Sequence, residues 1–271
     1  MVEVGSRLES DAGRLYQSEN GPAPSVTSIL GSYPSPWLVD WKVKNIARKV
    51  MEGDKRLREA VKNAHKMGST LVGSAVASSS LEKLMLSMSE DHSKADRGTR
   101  IHEGVERVLR GEKMKAVRKD VIPEEMVQVE KIMRELKRLS IEVTDIESVV
   151  FGSQPGPYAG TLDMIGEVRL TVRGKTRLSR CVIDLKTGRE SIKWSAQAYA
   201  YGFADRIKTK DKHGKTVIED MPNIHRGLII QTTNGGVKTL ECDLVLGKEI
   251  WYTCYAMHDI YNRNFRGLGQ V

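Results

Sequence analysis

The chain predicts an α/β or α+β fold, a helical N-terminal part leading into a β-sheet core. Up to about residue 139 the apolar residues recur at helical spacing. After residue 140 the segments become short, β-branched and bounded by glycine or proline. No apolar stretch is long enough to span a membrane or serve as a signal peptide, so a cytoplasmic protein with no membrane partner is expected. At 271 residues the chain is long enough for one large domain with a helical attachment. With 39% hydrophobic and 29% charged residues, its composition is that of a soluble globular protein, neither disordered nor fibrous.

Residues 1–24 read as a flexible segment and residues 25–96 as a helical region. Ser25 or Thr27 is placed to cap a short helix ahead of the turn at residues 31–36. From Trp37 to Val50 the residues Trp37, Leu38, Trp41, Val43, Ile46, Ala47 and Val50 keep mostly helical spacing, and Lys42, Lys44, Arg48 and Lys49 decorate the rest. That lysine-rich face reads as solvated surface on a core-packed helix. Further helices are expected over 54–66, 70–90 and 94–111. Pro123 with Glu124 and Glu125 opens another, whose stripe of Met126, Val129, Met133, Leu136 and Leu139 reads as core.

Three strands follow, over 141–152, 159–174 and 177–188, the second and third joined by a tight connection at Arg173, Gly174 and Lys175. A helix is expected over 192–207. A hairpin turning at Asn234, Gly235 and Gly236 follows, and a last helix over 248–264. No repeat or low-complexity tract occurs. Cys181, Cys242 and Cys254 are odd in number and far apart, which argues for free thiols over disulfides or zinc spacing. A net charge of +8 favours a polyanionic partner, because bound lysines and arginines release the counterions of nucleic acid.

The antiparallel second and third strands bring Asp163 towards Asp184. Asp184 and Lys186, two apart on one strand, project to the same side. Two carboxylates and an ammonium then meet, which is what phosphodiester hydrolysis requires. Carboxylates hold a magnesium-like ion that polarises phosphoryl oxygens, and the lysine stabilises developing negative charge or orients the attacking water.

These residues resemble the PD-(D/E)XK nuclease superfamily, and within it the RecB-like exonuclease branch. Gly160-Thr161-Leu162-Asp163 resembles its first acidic motif, and Val182 to Gly188, containing Asp184-Leu185-Lys186, resembles its acid-x-lysine motif. Gln197-Ala198-Tyr199-Ala200-Tyr201 resembles its glutamine-tyrosine helix. An upstream histidine, which is a metal ligand in this branch, resembles His102 in the run Arg97 to Gly104. The likeness covers roughly residues 97–205. It departs from the family name where Asp184 replaces glutamate and where the Gly160-Thr161-Leu162 run replaces proline; both variants are common in the branch.

The resemblance implies a restriction-endonuclease-like mixed sheet flanked by helices over 97–271. It implies Asp163, Asp184, Lys186, Gln197 and Tyr201 as catalytic, and His102, Asp163, Asp184 and a backbone carbonyl (Leu185, Ile183 or Val182) as ligands of Mg²⁺ or Mn²⁺. Some relatives carry an iron-sulfur cluster on four cysteines; three scattered cysteines predict none here. The activity implied is DNA hydrolysis, from an end or on a single strand, by a phage or bacterial recombination or repair exonuclease with a conceivable recombination partner protein. A non-cutting nucleic-acid-binding accessory of the same fold and a site-specific endonuclease are the alternatives.

Competing structural readings stand beside these roles. His102 is also readable as an ordinary histidine, Asp163 as a turn cap, and Gln197 with Tyr201 as an i, i+4 pair packed on the sheet. Glu103 and Glu147 are acidic neighbours that could add ligands, but exposed strand and helix glutamates are usually solvated, and neither is assigned a catalytic role. Arg97, Arg100, Arg107 and Arg110 are candidates for a DNA groove or plain surface. Trp37, Trp41 and Trp194 are candidates for base stacking, with core packing favoured for the first two.

Overall fold

The computed structural model describes residues 3–10, 13–33, 92–172, 175–210, 214–233 and 236–267. The chain divides into two compact units, Met1–Tyr33 with Arg97–Val271, and Pro34–Asp96. Of the second unit only residues 92–96 are described. The helices expected over 37–50, 54–66 and 70–90, together with Trp37 and Trp41, lie outside the described residues, as do the turn residues 173–174 and 234–235.

Residues 7–24, expected to be loose, form an antiparallel three-stranded sheet of β1 (Arg7–Ser10), β2 (Gly13–Ser18) and β3 (Gly21–Pro24). Tertiary contacts fix them: Tyr16 and Ala23 bury against Ala159, and the Tyr16 hydroxyl lies 3.0 Å from Thr161 Oγ1. The partner of these short strands is more than a hundred residues away, so local pattern does not reveal them. Helix α1 (Val26–Gly31) follows, capped by Ser25, whose side chain accepts from Ser28 N at 2.9 Å.

Helices α2 (His92–Leu109), α3 (Met114–Asp120) and α4 (Pro123–Arg138) come next. In α4 the sequence complements the helix dipole, with Pro123 and two glutamates in the first turn and Lys137 and Arg138 in the last. Its buried stripe is Met126, Val129, Ile132 and Leu136.

The main sheet has seven strands: β4 (Ile141–Gly152), β5 (Tyr158–Val172), β6 (Lys175–Lys186), β7 (Arg206–Lys210), β8 (Thr216–Asp220), β9 (Arg226–Thr233) and β10 (Gly236–Glu241). Their order is β10-β9-β6-β5-β4-β7-β8. Every neighbouring pair is antiparallel except β6 with β9. Helix α5 (Lys193–Gly202) lies between β6 and β7 in sequence, and α6 (Leu244–Gly267) follows β10.

Two boundaries differ from expectation for physical reasons. The helix expected over 192–207 ends at Gly202, because the edge of β4 recruits the following residues: Val150 pairs with Ile207 and Phe151 with Arg206. The last helix starts at Leu244, four residues early. The Asp243 carboxylate accepts from Val245 N and Leu246 N, both at 3.0 Å, and caps it there.

Alternation along β6 explains the layering. Cys181, Ile183 and Leu185 enter a core with Ile101 and Val105 of α2 and the stripe of α4. Val182 enters a second core with α1, α5 and Trp251 of α6. The result is a mixed α/β architecture, a large mostly antiparallel sheet covered on both faces by helices. Among the described residues no helix is long and apolar enough to cross a membrane.

Candidate metal centre

Strand register sets the geometry. Met164 pairs with Ile183, so one further step places Asp163 opposite Asp184. Ile146 pairs with Met164 and Ser148 with Leu162, so Glu147 stands opposite Asp163. Three carboxylates therefore occupy neighbouring positions across β4, β5 and β6. Like charges opposite one another destabilise a sheet, and a cation among them removes the repulsion.

Asp184 is 2% exposed. Its Oδ1 accepts from Gln197 Nε2 at 3.0 Å. Its Oδ2 lies 2.5 Å from Lys186 Nζ but off the hydrogen-bonding direction, so this buried oxygen has an ionic neighbour and no aligned donor among the described residues. Asp163 is held from the side: its Oδ2 accepts the Leu185 N–H at 2.7 Å and lies 3.5 Å from His102 Nδ1. One potential ligand atom from each of His102, Glu147 and Asp163 lies within 4.8 Å of the others.

Two glycines of the sequence motifs let helices come close. A Cβ on Gly98, one turn before His102 on α2, would sit 3.0 Å from Thr187 Oγ1, so the absence of a side chain brings α2 down onto the end of β6. A Cβ on Gly160 would sit 2.8 Å from Tyr201 Cε1 and 3.1 Å from Val26 Cγ2. Gly160 is thus the floor on which the Tyr201 ring of α5 rests. Gln197, one turn back, donates to the Tyr201 hydroxyl at 3.3 Å as well as to Asp184.

Electrostatics follow from burial. Desolvation pushes the Asp184 carboxyl up, aided by Asp163 and opposed by Lys186. Burial works against the Lys186 ammonium, yet Asp184 and Asp163 keep its pKa above the usual lysine value. Burial lifts the Tyr201 phenol well above its ordinary value, so it stays a neutral hydroxyl.

Glu147, a possible added ligand that the sequence favours as solvated surface, is half-buried and stands with His102 and Asp163. It has a left-handed backbone, φ 50°, inside a strand. That conformation costs a non-glycine residue about 1–2 kcal/mol and interrupts the side-chain alternation of β4. Burial, then the charge of Asp163, pushes its carboxyl up to about 8. A bulge between Val143 and Asp145 shifts the register that aligns it, and no local pattern announces a bulge. Glu103, its companion in the sequence reading, is exposed.

The remaining candidates divide. Arg100 forms a two-pronged pair with the buried Glu125, Arg107 pairs with Glu112 and Asp120, and Arg110 pairs with Glu106, while Arg97 is exposed. Trp194 is half-buried beside Ile229 and Cys242. The three cysteines are free. Leu185 enters through its backbone N–H, which fixes Asp163.

His102, Glu147 and Asp163 form a donor set suited to a hard or borderline divalent cation; Asp184 is not one of these three, and its Oδ2, buried without an aligned donor among the described residues, belongs to the next register position. Fold and site together describe a mixed α/β protein with carboxylates, a histidine and a lysine gathered where the end of β6 meets the interiors of β5 and β4. No family model matches this chain, and no curated protein matches it.

Proposed function

We propose that the protein is a Mg²⁺- or Mn²⁺-dependent DNA nuclease of the PD-(D/E)XK type, RecB-like branch, acting as an exonuclease in phage or bacterial recombination and repair. The observation that carries this reading is the pairing of Asp184 and Lys186 beside Asp163, with His102 reaching Asp163 from α2. Supporting it is the order of elements: His102 on α2, Asp163 on β5, Asp184 and Lys186 on β6, Gln197 and Tyr201 on α5, all on a mixed sheet flanked by helices.

In this reading Asp163, Asp184, His102 and Glu147 hold the cation. When bound, it supplies Lewis acidity towards the phosphoryl group and makes a water acidic enough to attack at neutral pH. Lys186 keeps its proton and faces the negative charge that develops on the scissile phosphate. Gln197 fixes the rotamer of Asp184, and the neutral Tyr201 hydroxyl accepts from the same amide and holds it in place. The charge of +8 favours the polyanion throughout.

End-labelled linear, circular and single-stranded DNA, incubated with and without Mg²⁺ or Mn²⁺, test the reading. Linear DNA is degraded only with the cation and circular DNA is spared. Asp184→Asn and Lys186→Ala each lower the rate by ~10³-fold or more while the circular dichroism spectrum is unchanged. Full cleavage by either variant, or by wild type in excess chelator, would refute it.

A further inference from the structure

Gln231 of β9 is the register partner of Lys186 across the parallel β6–β9 pair, so the two side chains leave the sheet on the same face. Gln231 is 5% exposed. Its Nε2 donates to the Gly188 carbonyl at 2.6 Å. A carbonyl only accepts, so the amide nitrogen must face Gly188 and the oxygen must face the interior. There Gln231 Oε1 is buried with no donor among the described residues. At the same register on the adjoining strand, the partly exposed Lys186 has three ammonium N–H groups to place, and its contact with Asp184 Oδ2 is close but unaligned. A residue with a buried acceptor and no donor to it among the described residues, and a residue whose ammonium is not fully engaged by its carboxylate, thus occupy register-paired positions.

We infer that Gln231 Oε1 is the second seat of the Lys186 ammonium, taken up when a divalent cation occupies Asp184 Oδ2. The inference rests on the cation site proposed above. A cation and an ammonium compete for one carboxylate oxygen. Without an alternative protein acceptor Lys186, which is partly exposed, either stays and excludes the cation or turns its ammonium to solvent, away from the site. Gln231 removes that conflict and keeps the ammonium beside the site, where its charge is needed. Its grip on Gly188 anchors the turn that follows Lys186, which explains an amide at this position: a carboxylate would lack the donor, and an aliphatic side chain would lack both groups. Gln231 is on this account a positioning residue.

A double-mutant cycle tests it, with Mg²⁺ affinity of the full-length protein measured by calorimetry. Gln231→Met weakens binding by roughly tenfold in the wild-type background and leaves it unchanged in the Lys186→Met background. Equal losses in both backgrounds would mean that Gln231 is merely structural and would overturn the inference. A measurement without a Gln231 variant guards against misfolding: in protein labelled with ¹³C-glutamine, Mg²⁺ shifts the Gln231 side-chain carbonyl resonance of wild type but not of Lys186→Met. An unmoved resonance at saturating Mg²⁺ also overturns it. A wild type that binds no Mg²⁺ defeats the metal reading itself, and the inference with it.

Discussion

Asp184 has two oxygens with different duties, and the residues around it divide accordingly. Gln197 secures Oδ1, leaving Oδ2 for a cation. Gln197→Ala is therefore expected to lower turnover by ~10–100-fold with little change in thermal stability, the usual consequence of freeing a ligand from its supporting hydrogen bond. Glu147 makes a prediction in pH. Its folded pKa is raised from 4.5 to about 8. Its contribution to stability is thus fully present below pH 4.5 and is lost as pH rises through about 8. Urea denaturation of metal-free protein at pH 5, 7 and 9 should show wild type losing stability relative to Glu147→Gln as pH rises, with Mg²⁺ restoring it at pH 9. Parallel profiles for the two proteins would contradict the placement of Glu147. Asp163, Asp184 and Lys186 were legible in the sequence because a tight antiparallel pair and an i, i+2 spacing suffice to bring them together. Glu147 was not, since its position depends on a left-handed residue and a bulge that only the folded β4–β5 ladder reveals.

Among the elements, helix α5 and strand β5 are held at a distance that only glycine permits. Gly160→Ala drives a methyl to within 2.8 Å of Tyr201 Cε1. The expected cost is ~1–3 kcal/mol in urea denaturation, with lowered turnover because Gln197 moves with Tyr201. Gly31→Ala, where a Cβ meets nothing within 4 Å, is the control and should fall within about 0.5 kcal/mol of wild type. Unequal effects in the opposite order would contradict this packing. At this scale the sequence reading succeeded where a period is long and unbroken, as in α4 and the β5–β6 pair. It failed where partners compete: the stretch after Gly202 carries helical pattern, but the edge of β4 claims residues 206–210 as a strand. The three N-terminal strands failed for a related reason, their partner Ala159 being distant in sequence.

For the whole molecule the net charge of +8 is the relevant quantity. Under the proposed nuclease function Asp184→Asn is expected to bind DNA without cutting it, and its affinity should fall linearly in log salt, by more than ~10-fold between 50 and 200 mM. Affinity indifferent to salt would contradict a phosphate-directed interface. Arg100, Arg107 and Arg110 are engaged in ion pairs with neighbouring acids, so these three arginines are committed within the protein and other cations must supply the contacts to a polyanion. The mixed α/β class was readable from the change of period near residue 140, whereas the strand order of the sheet, and above all the parallel β6–β9 pair that sets Gln231 beside Lys186, was not, because register between distant strands leaves no local trace. The claim on which the rest depends is that one divalent cation is gripped by acids from neighbouring strands and an imidazole from α2. Crystals soaked in Mn²⁺ and measured at its absorption edge test it directly: the account predicts an anomalous peak within bonding distance of Asp163, Asp184 and His102. A fully soaked crystal with no peak there, or with Mn²⁺ bound only by other residues, would contradict it.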